Sequence, residues 1–303
     1  MCCEGVNIVL EPVSPSVSVI ISAFNAAAYV GEAVSSALAS RDVALEVLVI
    51  DDGSTDGTWD VLETFGDRIR KVRQANAGPY KARNLGATMA RGEWLAFLDA
   101  DDAWLPDKLG RQLAAADASH DLVFTDCSNF GSFERVKARQ SDSTRFFEGD
   151  VFEPLLLDNF ITLSSVLMRK RCFEGLGGFS EEHTGVQDWD LWLRFAAAGG
   201  LVRLVPEPLT RYRLHAGQMT NRIAARARER AAVVERALSS PRGQLVGRAV
   251  ARQARANVWA IGAWIAAPTN RLTAIAWFLR AARHWPWNMG LYKGVVKCCL
   301  NRA

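Results

Sequence analysis

The sequence predicts an α/β fold with a mostly parallel central sheet and a helical C-terminal extension. Three observations support that reading. Strand-like apolar runs alternate with helix-periodic segments through the first hundred residues. Runs such as LEVLVI (45–50) are apolar throughout, as strands covered on both faces require. From about Met219 onward the chain becomes Ala- and Arg-rich, with Pro241, Pro268 and Pro286 punctuating helical spacing.

The elements follow in order. VSVIISAF (17–24) is a β-branched run. Val30, Ala33, Val34, Ala37 and Leu38 give 28–39 a helical period. LEVLVI is the second strand, and a short helix runs from Thr58 to Phe65. IRKVRQ (69–74) alternates as a strand, Pro79 to Ala90 is a helix, and EWLAFLD (93–99) is the fourth strand. A helix is predicted from Pro106 to Ala116 and strands over 122–126 and 161–168. The polar stretch 128–149 between them reads as a mobile loop. QDWDLWLRFAAAG (187–199) is a strong helix, and Pro206 and Pro208 suggest a hinge before LTRYRLH. Four helices are expected at 219–239, 244–267, 271–284 and 288–300.

A length of 303 residues allows one large domain or a domain with an appendage. MCCEGVNIVLEP lacks the basic start and apolar core of a signal peptide. The best membrane-span candidate, Val258 to Ala267, is about half the roughly 20 residues a span needs. Six cysteines, none in CxxC spacing, read as reduced thiols of a cytoplasmic protein and argue against a zinc or thioredoxin-type site. The net charge of +3 is unevenly spread. Arg203 to Ala303 holds 18 Lys and Arg against 3 Glu, while the first 202 residues hold 18 basic and 30 acidic groups. An acidic part that holds cations and a basic part that meets an anionic partner would produce that asymmetry.

In open sheets of this kind ligands bind beyond the carboxyl ends of the strands. The ends here are SAFNA, DDGSTDG, QANAGP and DADDAW, and two are crowded with aspartate. In DDGSTDGTWDVLE (51–63), Asp52, Ser54, Asp56, Gly57, Thr58, Asp60 and Glu63 match the spacing of a calcium loop of the EF-hand type. A strand precedes it, however, where such a loop needs a helix. An Asx-type turn capping the next helix explains the same residues, and its carboxylate could also accept from a nucleobase or ribose. In DADD (99–102), clustered carboxylates suit Mg²⁺ or Mn²⁺, ions that share their shell with phosphate oxygens. In AGPYKARN, Lys81 and Arg83 sit in the first turns of a helix, against the dipole preference. GLGGFS (175–180) fails as a GxGxxG motif, and no P-loop, nucleophile elbow or HExxH occurs.

SVIISAFNAAAYVGEAVSSAL, VLVIDDGSTDGT and NAGPYKARNLGATMARGEWLAFLDADD together resemble the nucleotide-sugar domain of family 2 glycosyltransferases, which has the GT-A fold. The likeness runs from about Val17 to His215. It implies an inverting transferase using a nucleoside-diphosphate sugar, with UDP the expected carrier and Mg²⁺ or Mn²⁺ the cofactor. The acceptor would be a hydroxyl of a glycan or lipid-linked molecule in cell-surface polysaccharide synthesis. By the resemblance, Ala23, Phe24 and Asn25 flank the base, Asp52 binds it, and Arg83 lies near the nucleotide. Asp99 and Asp101 form the DxD motif that holds ribose and metal. Whether Asp101 or the adjacent Asp102 ligates the metal stays open. The family's Glu-Asp before Trp-Asp reads Gln187-Asp188-Trp189-Asp190 here. Asp188 is then the catalytic base, with Asp190 the alternative. His215 matches a position close to the metal or diphosphate, although a lone His is more often structural. Gln187 keeps a second reading alive, a catalytically weak nucleotide-sugar or calcium-binding protein. A nucleotidyltransferase would need a Gly-rich loop after the first strand, which SAFNAAAY lacks.

The implied organisation is a tail over 1–15, a GT-A domain over 16–217 and a basic, Trp-rich helical extension over 218–303. Within the domain, 16–127 would be the nucleotide-sugar half and 128–217 the acceptor half. Trp259, Trp264, Trp277, Trp285 and Trp287, with Arg280, Arg283, Lys293 and Lys297, suit a peripheral contact with the inner face of the membrane. A small helical domain with Trp in its core explains them equally. No nucleic-acid partner is expected.

Overall fold

The structure is a computed structural model that describes residues 16–131, 137–182, 185–215 and 227–300. The expected tail over 1–15 and the start of the helix expected from 219 lie outside the described residues.

The four apolar runs of the first hundred residues form the parallel half of an eight-stranded sheet. They are β1 (Val17–Ala23), β2 (Leu45–Asp51), β3 (Arg70–Arg73) and β4 (Trp94–Asp99), in the spatial order β3-β2-β1-β4. Helices α1 (Val30–Leu38), α2 (Thr58–Glu63) and α3 (Pro79–Met89) connect them. Val17, Val19 and Ile21 of β1 pack with Val30, Ala33 and Val34 of α1 on one face. Ile20, Leu48 and Phe97 face the other core, which α3 shares through Ala87. Burial on both faces is why these strands are apolar throughout. The order reverses at β1, so a crevice opens between the carboxyl ends of β1 and β4.

The second half is mixed. It contains β5 (Ala103–Trp104), α4 (Lys108–Ala115), β6 (His120–Gly131), α5 (Phe152–Leu157), β7 (Val166–Arg169), α6 (Lys170–Gly175), α7 (Gln187–Ala197) and β8 (Leu201–Leu214). β7 runs antiparallel to both β4 and β6, and β5 antiparallel to β8. Four of the seven pairings are parallel.

The stretch expected as a loop from 128 begins as strand, because β6 pairs with β8 as far as Gly131↔Leu214. Arg139 also bridges Ser128, and Gly149 bridges Val202. The strand expected over 161–168 starts only at Val166. Leu163–Ser165 is a 3₁₀ turn, closed by the Ser165 N–H on the Thr162 carbonyl. The hinge at Pro206 and Pro208 is instead the middle of β8. The ladder jumps there from Thr125↔Val205 to Cys127↔Thr210, so both prolines sit in a bulge that needs no donor.

The extension comprises α8 (Ala227–Ser239), α9 (Arg248–Ala266), α10 (Arg271–His284) and α11 (Met289–Cys299). Val233, Val234, Ala237 and Leu238 of α8 join the core beneath the sheet, as do Ala254 and Val258 of α9. The later part of α9 builds a second core with α10 and α11 around Trp259, Phe278 and Leu291. Among the described residues, no helix is long and apolar enough to cross a membrane. Cys127, Cys172, Cys298 and Cys299 are free thiols.

Candidate active site

A cleft of about 880 Å³ opens at the crevice between β1 and β4, within the size range of small-molecule sites. It is lined by Ala23, Phe24, Asn25, Asp52, Arg83, Asp99, Asp101, Asp188 and His215, among others. Of the residues that the resemblance places at the site, all line this one cleft except Asp102 and the alternative base, Asp190.

The first wall is made by the ends of β1 and β2. Asn25 adopts a positive φ of 48°. Its Oδ1 accepts from the Thr55 N–H at 2.9 Å, and its own N–H donates to Ser54 Oγ at 2.9 Å. Phe24 beside it is half exposed, a ring presented to the cleft. Asp52 is buried, and its carboxylate accepts from Gln74 Nε2 at 2.7 Å and from the amides of Ala77 and Gly78 at 2.8 Å. Three of its roughly four lone-pair positions are therefore occupied by the β3–α3 loop. Gly53 (φ +76°) permits the close approach, since a Cβ there would lie 2.7 Å from the Asn76 nitrogen.

The calcium-loop reading does not survive this geometry. Asp56 accepts from the Thr58 N–H at 3.0 Å and the Ala27 N–H at 3.1 Å, as a turn-capping Asp does. Asp52 is committed as described. Among the described residues, the one group of three or more acidic, His or Cys side chains placed to hold a metal ion is Asp99, Asp101 and Asp102.

The DADD turn resolves into two kinds of carboxylate. Asp102 is buried and turned inward. Its Oδ2 takes Ser164 Oγ–H at 2.6 Å and its Oδ1 takes the Arg213 N–H at 2.8 Å. Burial, then Asp99 and Asp101, push its carboxyl well above the usual range. Asp99 and Asp101 face the cleft. Asp99 pairs with Arg83 Nη2 at 2.5 Å, and Asp101 Oδ2 lies 2.9 Å from His215 Nε2. Burial and the Asp99 charge raise the Asp101 carboxyl, against the pull of His215. The three carboxylates place oxygens within 4.8 Å of one another. Hard oxygens this close, still mutually repulsive beside one imidazole, fit a divalent cation such as Mg²⁺ or Mn²⁺.

Arg83, buried on α3, is thereby explained as the cation facing Asp99, with its guanidinium 5.9 Å from the Phe179 ring centroid. Lys81 instead points outward to Glu181 at 3.3 Å. His215 packs on Tyr29 with centroids 4.9 Å apart. Arg213 donates from Nε to the Asp101 carbonyl at 2.7 Å and stacks over Phe130 at 4.3 Å.

The opposite wall is the start of α7, held by Trp189 Nε1 on the Leu155 carbonyl (2.8 Å) and Trp192 Nε1 on the Ile161 carbonyl (3.3 Å). Asp188 accepts from Asn159 Nδ2 at 3.1 Å. Burial raises its carboxyl above the ordinary range and repulsion from Asp99 adds to this. Hydrogen bonds from Trp189 and Asn159 and attraction to Arg83 oppose it. Asp190, the alternative base, is buried on the far side of the helix. Arg194 Nε holds its Oδ2 at 2.8 Å and Arg236 Nη1 holds its Oδ1 at 3.0 Å. It does not line the cleft.

Asn76, Gln140, Asn159, Tyr212 and Arg230 also line the cleft and were not identified from the sequence. Asn159 gave one signal, a polar interruption between LLL and FIT. Arg230 gave none, being one arginine among many in its segment.

A cleft at strand ends, acidic on one wall and with a lone carboxylate of raised proton affinity on the other, defines a small-molecule enzyme of the α/β class. A family model described as glycosyl transferase family 2 matches residues 18–177, and the chain belongs to that family. Its mixed sheet resembles those of GT-A enzymes. An uncharacterized glycosyltransferase of Rickettsia prowazekii is 31% identical over 215 residues, covering 69% of this chain and 67% of the relative. Another, of Rickettsia felis, is 30% identical over 226 residues, but the chain spans only 36% of its length. The succinoglycan biosynthesis protein ExoO of Rhizobium meliloti is 40% identical over 114 residues, 37% of this chain and 33% of that protein. Among solved structures, S. aureus TarS 1–349 in complex with UDP-GlcNAc superposes with a TM-score of 0.68 at 17% identity, covering 95% of this chain and 89% of that one. The mannosyltransferase PcManGT from Pyrobaculum calidifontis, in complex with GDP-Man and Mn²⁺, gives 0.58 at 18% identity, with coverage of 95% and 87%.

The two helix carboxylates should separate cleanly in stability. Asp190→Asn strips two arginines of a buried partner and is expected to lower the unfolding free energy by about 3 kcal/mol. Denaturant unfolding measures this, and a loss under about 1 kcal/mol would place the pairs with ordinary surface bridges.

Proposed function

We propose that this chain is an inverting glycosyltransferase that moves a sugar from a nucleoside diphosphate, UDP-linked, to a hydroxyl of a glycan or lipid-linked acceptor. The carrying observation is Asp188, a carboxylate of raised proton affinity facing the same cleft as Asp99 and Asp101. The UDP-GlcNAc and GDP-Man complexes of TarS and PcManGT support a nucleotide-sugar donor. ExoO supports a role in cell-surface polysaccharide synthesis.

In this reading Ala23, Phe24, Asn25 and Asp52 receive the base. Asp52 keeps one acceptor position for it after fixing its own loop. Arg83 and Asp99 lie toward the ribose and diphosphate. Asp101 and His215 are the residues that would hold Mg²⁺ or Mn²⁺. Asp102 shapes the turn, its oxygens being committed to Ser164 and Arg213. A bound divalent cation would supply neutralisation of the charge that grows on the leaving diphosphate. In this reading residues 16–127 make the nucleotide-sugar half, joined at the cation by His215, and 128–217 otherwise serve the acceptor. Asp188 takes the proton from the acceptor hydroxyl as that oxygen attacks the sugar carbon from the face opposite the diphosphate. Its raised pKa makes it a stronger base than a solvated carboxylate, and Asn159 fixes its orientation.

The extension brings the enzyme to its acceptor at the inner face of the membrane. Leu272, Trp287, Met289 and Val296 are exposed on α10, α11 and their junction, interleaved with Arg271, Arg283, Lys293 and Lys297. Trp259 and Phe278 are buried, so the helices have both a core and an outward apolar face.

Asp188→Asn is expected to lower kcat by about 10²- to 10⁴-fold with the fold intact, read as formation of a new glycosidic bond by mass spectrometry. Near-normal transfer would remove Asp188 from the mechanism. The base must be unprotonated, so wild-type kcat/KM should fall as pH drops through a pKa above the ordinary carboxylate value of 3.8. An acid limb at or below that value contradicts the assignment. Co-sedimentation with phosphatidylglycerol vesicles should be strong at low salt and weaken with added salt and with Trp287→Ser. Equal binding to neutral phosphatidylcholine, or none to either, sinks the membrane role.

A further inference from the structure

Among the described residues, seven buried side-chain nitrogen or oxygen atoms have no hydrogen-bond partner, and three of them belong to residues around Asp188 in the cleft. They are Arg230 Nε, Gln187 Nε2 and Asn159 Oδ1. Leaving a buried polar atom unpaired is costly, so native proteins keep few of them. Three orphans on residues that line one cavity mark a place where a ligand can complete the bonding.

Arg230 has the strongest claim. It comes from α8, outside the segment that the family model matches. Its guanidinium lies 4.4 Å from the centroid of the Trp189 ring, which orients its plane. Arg83 and His215 in the same cleft have carboxylate partners in Asp99 and Asp101. Arg230 makes no ion pair or hydrogen bond with any described residue; burial lowers its proton affinity, and Asp158 and Asp188 oppose this only from a distance. A guanidinium stays charged in such a setting and offers paired N–H groups matched to carboxylate or phosphate. Gln187 beside Asp188 is neutral and adds one more donor.

We propose that Arg230, with Gln187 and Asn159, forms a subsite for an anionic group, carboxylate or phosphate, carried by the acceptor next to the hydroxyl that meets Asp188. This rests on the proposed transferase reading. The acceptor is favoured over the donor because these groups surround the base, whereas the cation-binding carboxylates lie on the opposite wall. Arg230 and Gln187 would donate to the anion, and Asn159 Oδ1 would accept from a neighbouring acceptor hydroxyl.

The test uses the full chain with UDP and Mn²⁺, and repeats it without them. Isothermal titration compares methyl glucuronide and glycerol 1-phosphate with their neutral counterparts, methyl glucoside and glycerol. The anionic probes should bind at least about tenfold tighter than the neutral ones. The tighter of the two anions distinguishes carboxylate from phosphate. Arg230→Gln should abolish the preference and Gln187→Leu weaken it, while UDP affinity stays within about twofold. Equal wild-type binding of charged and neutral probes overturns the subsite, whether or not the variants fold. So does a preference that persists in a folded Arg230→Gln. Loss of UDP binding in that variant assigns the guanidinium to the donor instead. Failure of wild type to bind UDP counts against the transferase reading, and the probe comparison without UDP still decides the subsite.

Discussion

The burial of Asp102 is the constraint on which the rest of the site depends. A carboxylate at the end of β4 is fully enclosed and tied to Ser164 and the Arg213 amide. Ser164 Oγ also accepts the Asp99 N–H at 3.1 Å, so one hydroxyl binds both ends of the DADD turn. These bonds join β4 to the 3₁₀ turn before β7 and to the end of β8. With Asp102 pinned inward, Asp99 and Asp101 turn toward the cleft. His215 follows, because it lies two residues beyond the Arg213 amide that Asp102 holds. A buried carboxylate that loses either partner would be left with an uncompensated polar cost, and the turn that presents the other two would lose its anchor.

The cleft divides its electrostatic work between two walls. One concentrates negative charge from β4 and moderates it with Arg83 and His215. The other isolates Asp188 in a poorly solvated place, where its proton affinity rises. Repulsion from Asp99 reaches Asp188 and Arg83 attracts it, so the walls are coupled. Placing cation and donor on the first wall would weaken that repulsion. The same separation leaves Asp188 without an arginine at contact distance among the described residues, whereas Asp190 is held by two.

The parallel half of the fold was legible because each strand there is buried on both faces and each helix keeps its period. The second half was less so. Its 161–168 segment has strand composition, yet Thr162 to Ser165 turns to deliver Ser164 to the aspartates, a demand invisible in propensity. Pro206 and Pro208 looked like a hinge because the bulge that accommodates them exists only once β6 and β8 pair. Most predicted site residues do line one cleft, since motif spacing at strand ends maps directly onto the sheet edge. The difference between Asp101 and Asp102 was not legible. It depends on partners more than 60 residues away. Arg230 was hidden for the same reason: its helix meets the cleft only through tertiary packing.

The central claim is that Asp101 serves the donor and its cation while Asp188 serves the acceptor proton. Isothermal titration of UDP into the wild type, Asp101→Ala and Asp188→Asn, each with Mn²⁺ and with EDTA, tests it most directly. The expected result is Mn²⁺-dependent UDP binding in wild type and Asp188→Asn, lost by about tenfold or more in Asp101→Ala. UDP binding indifferent to EDTA, or weakened equally by both substitutions, would contradict the division of labour.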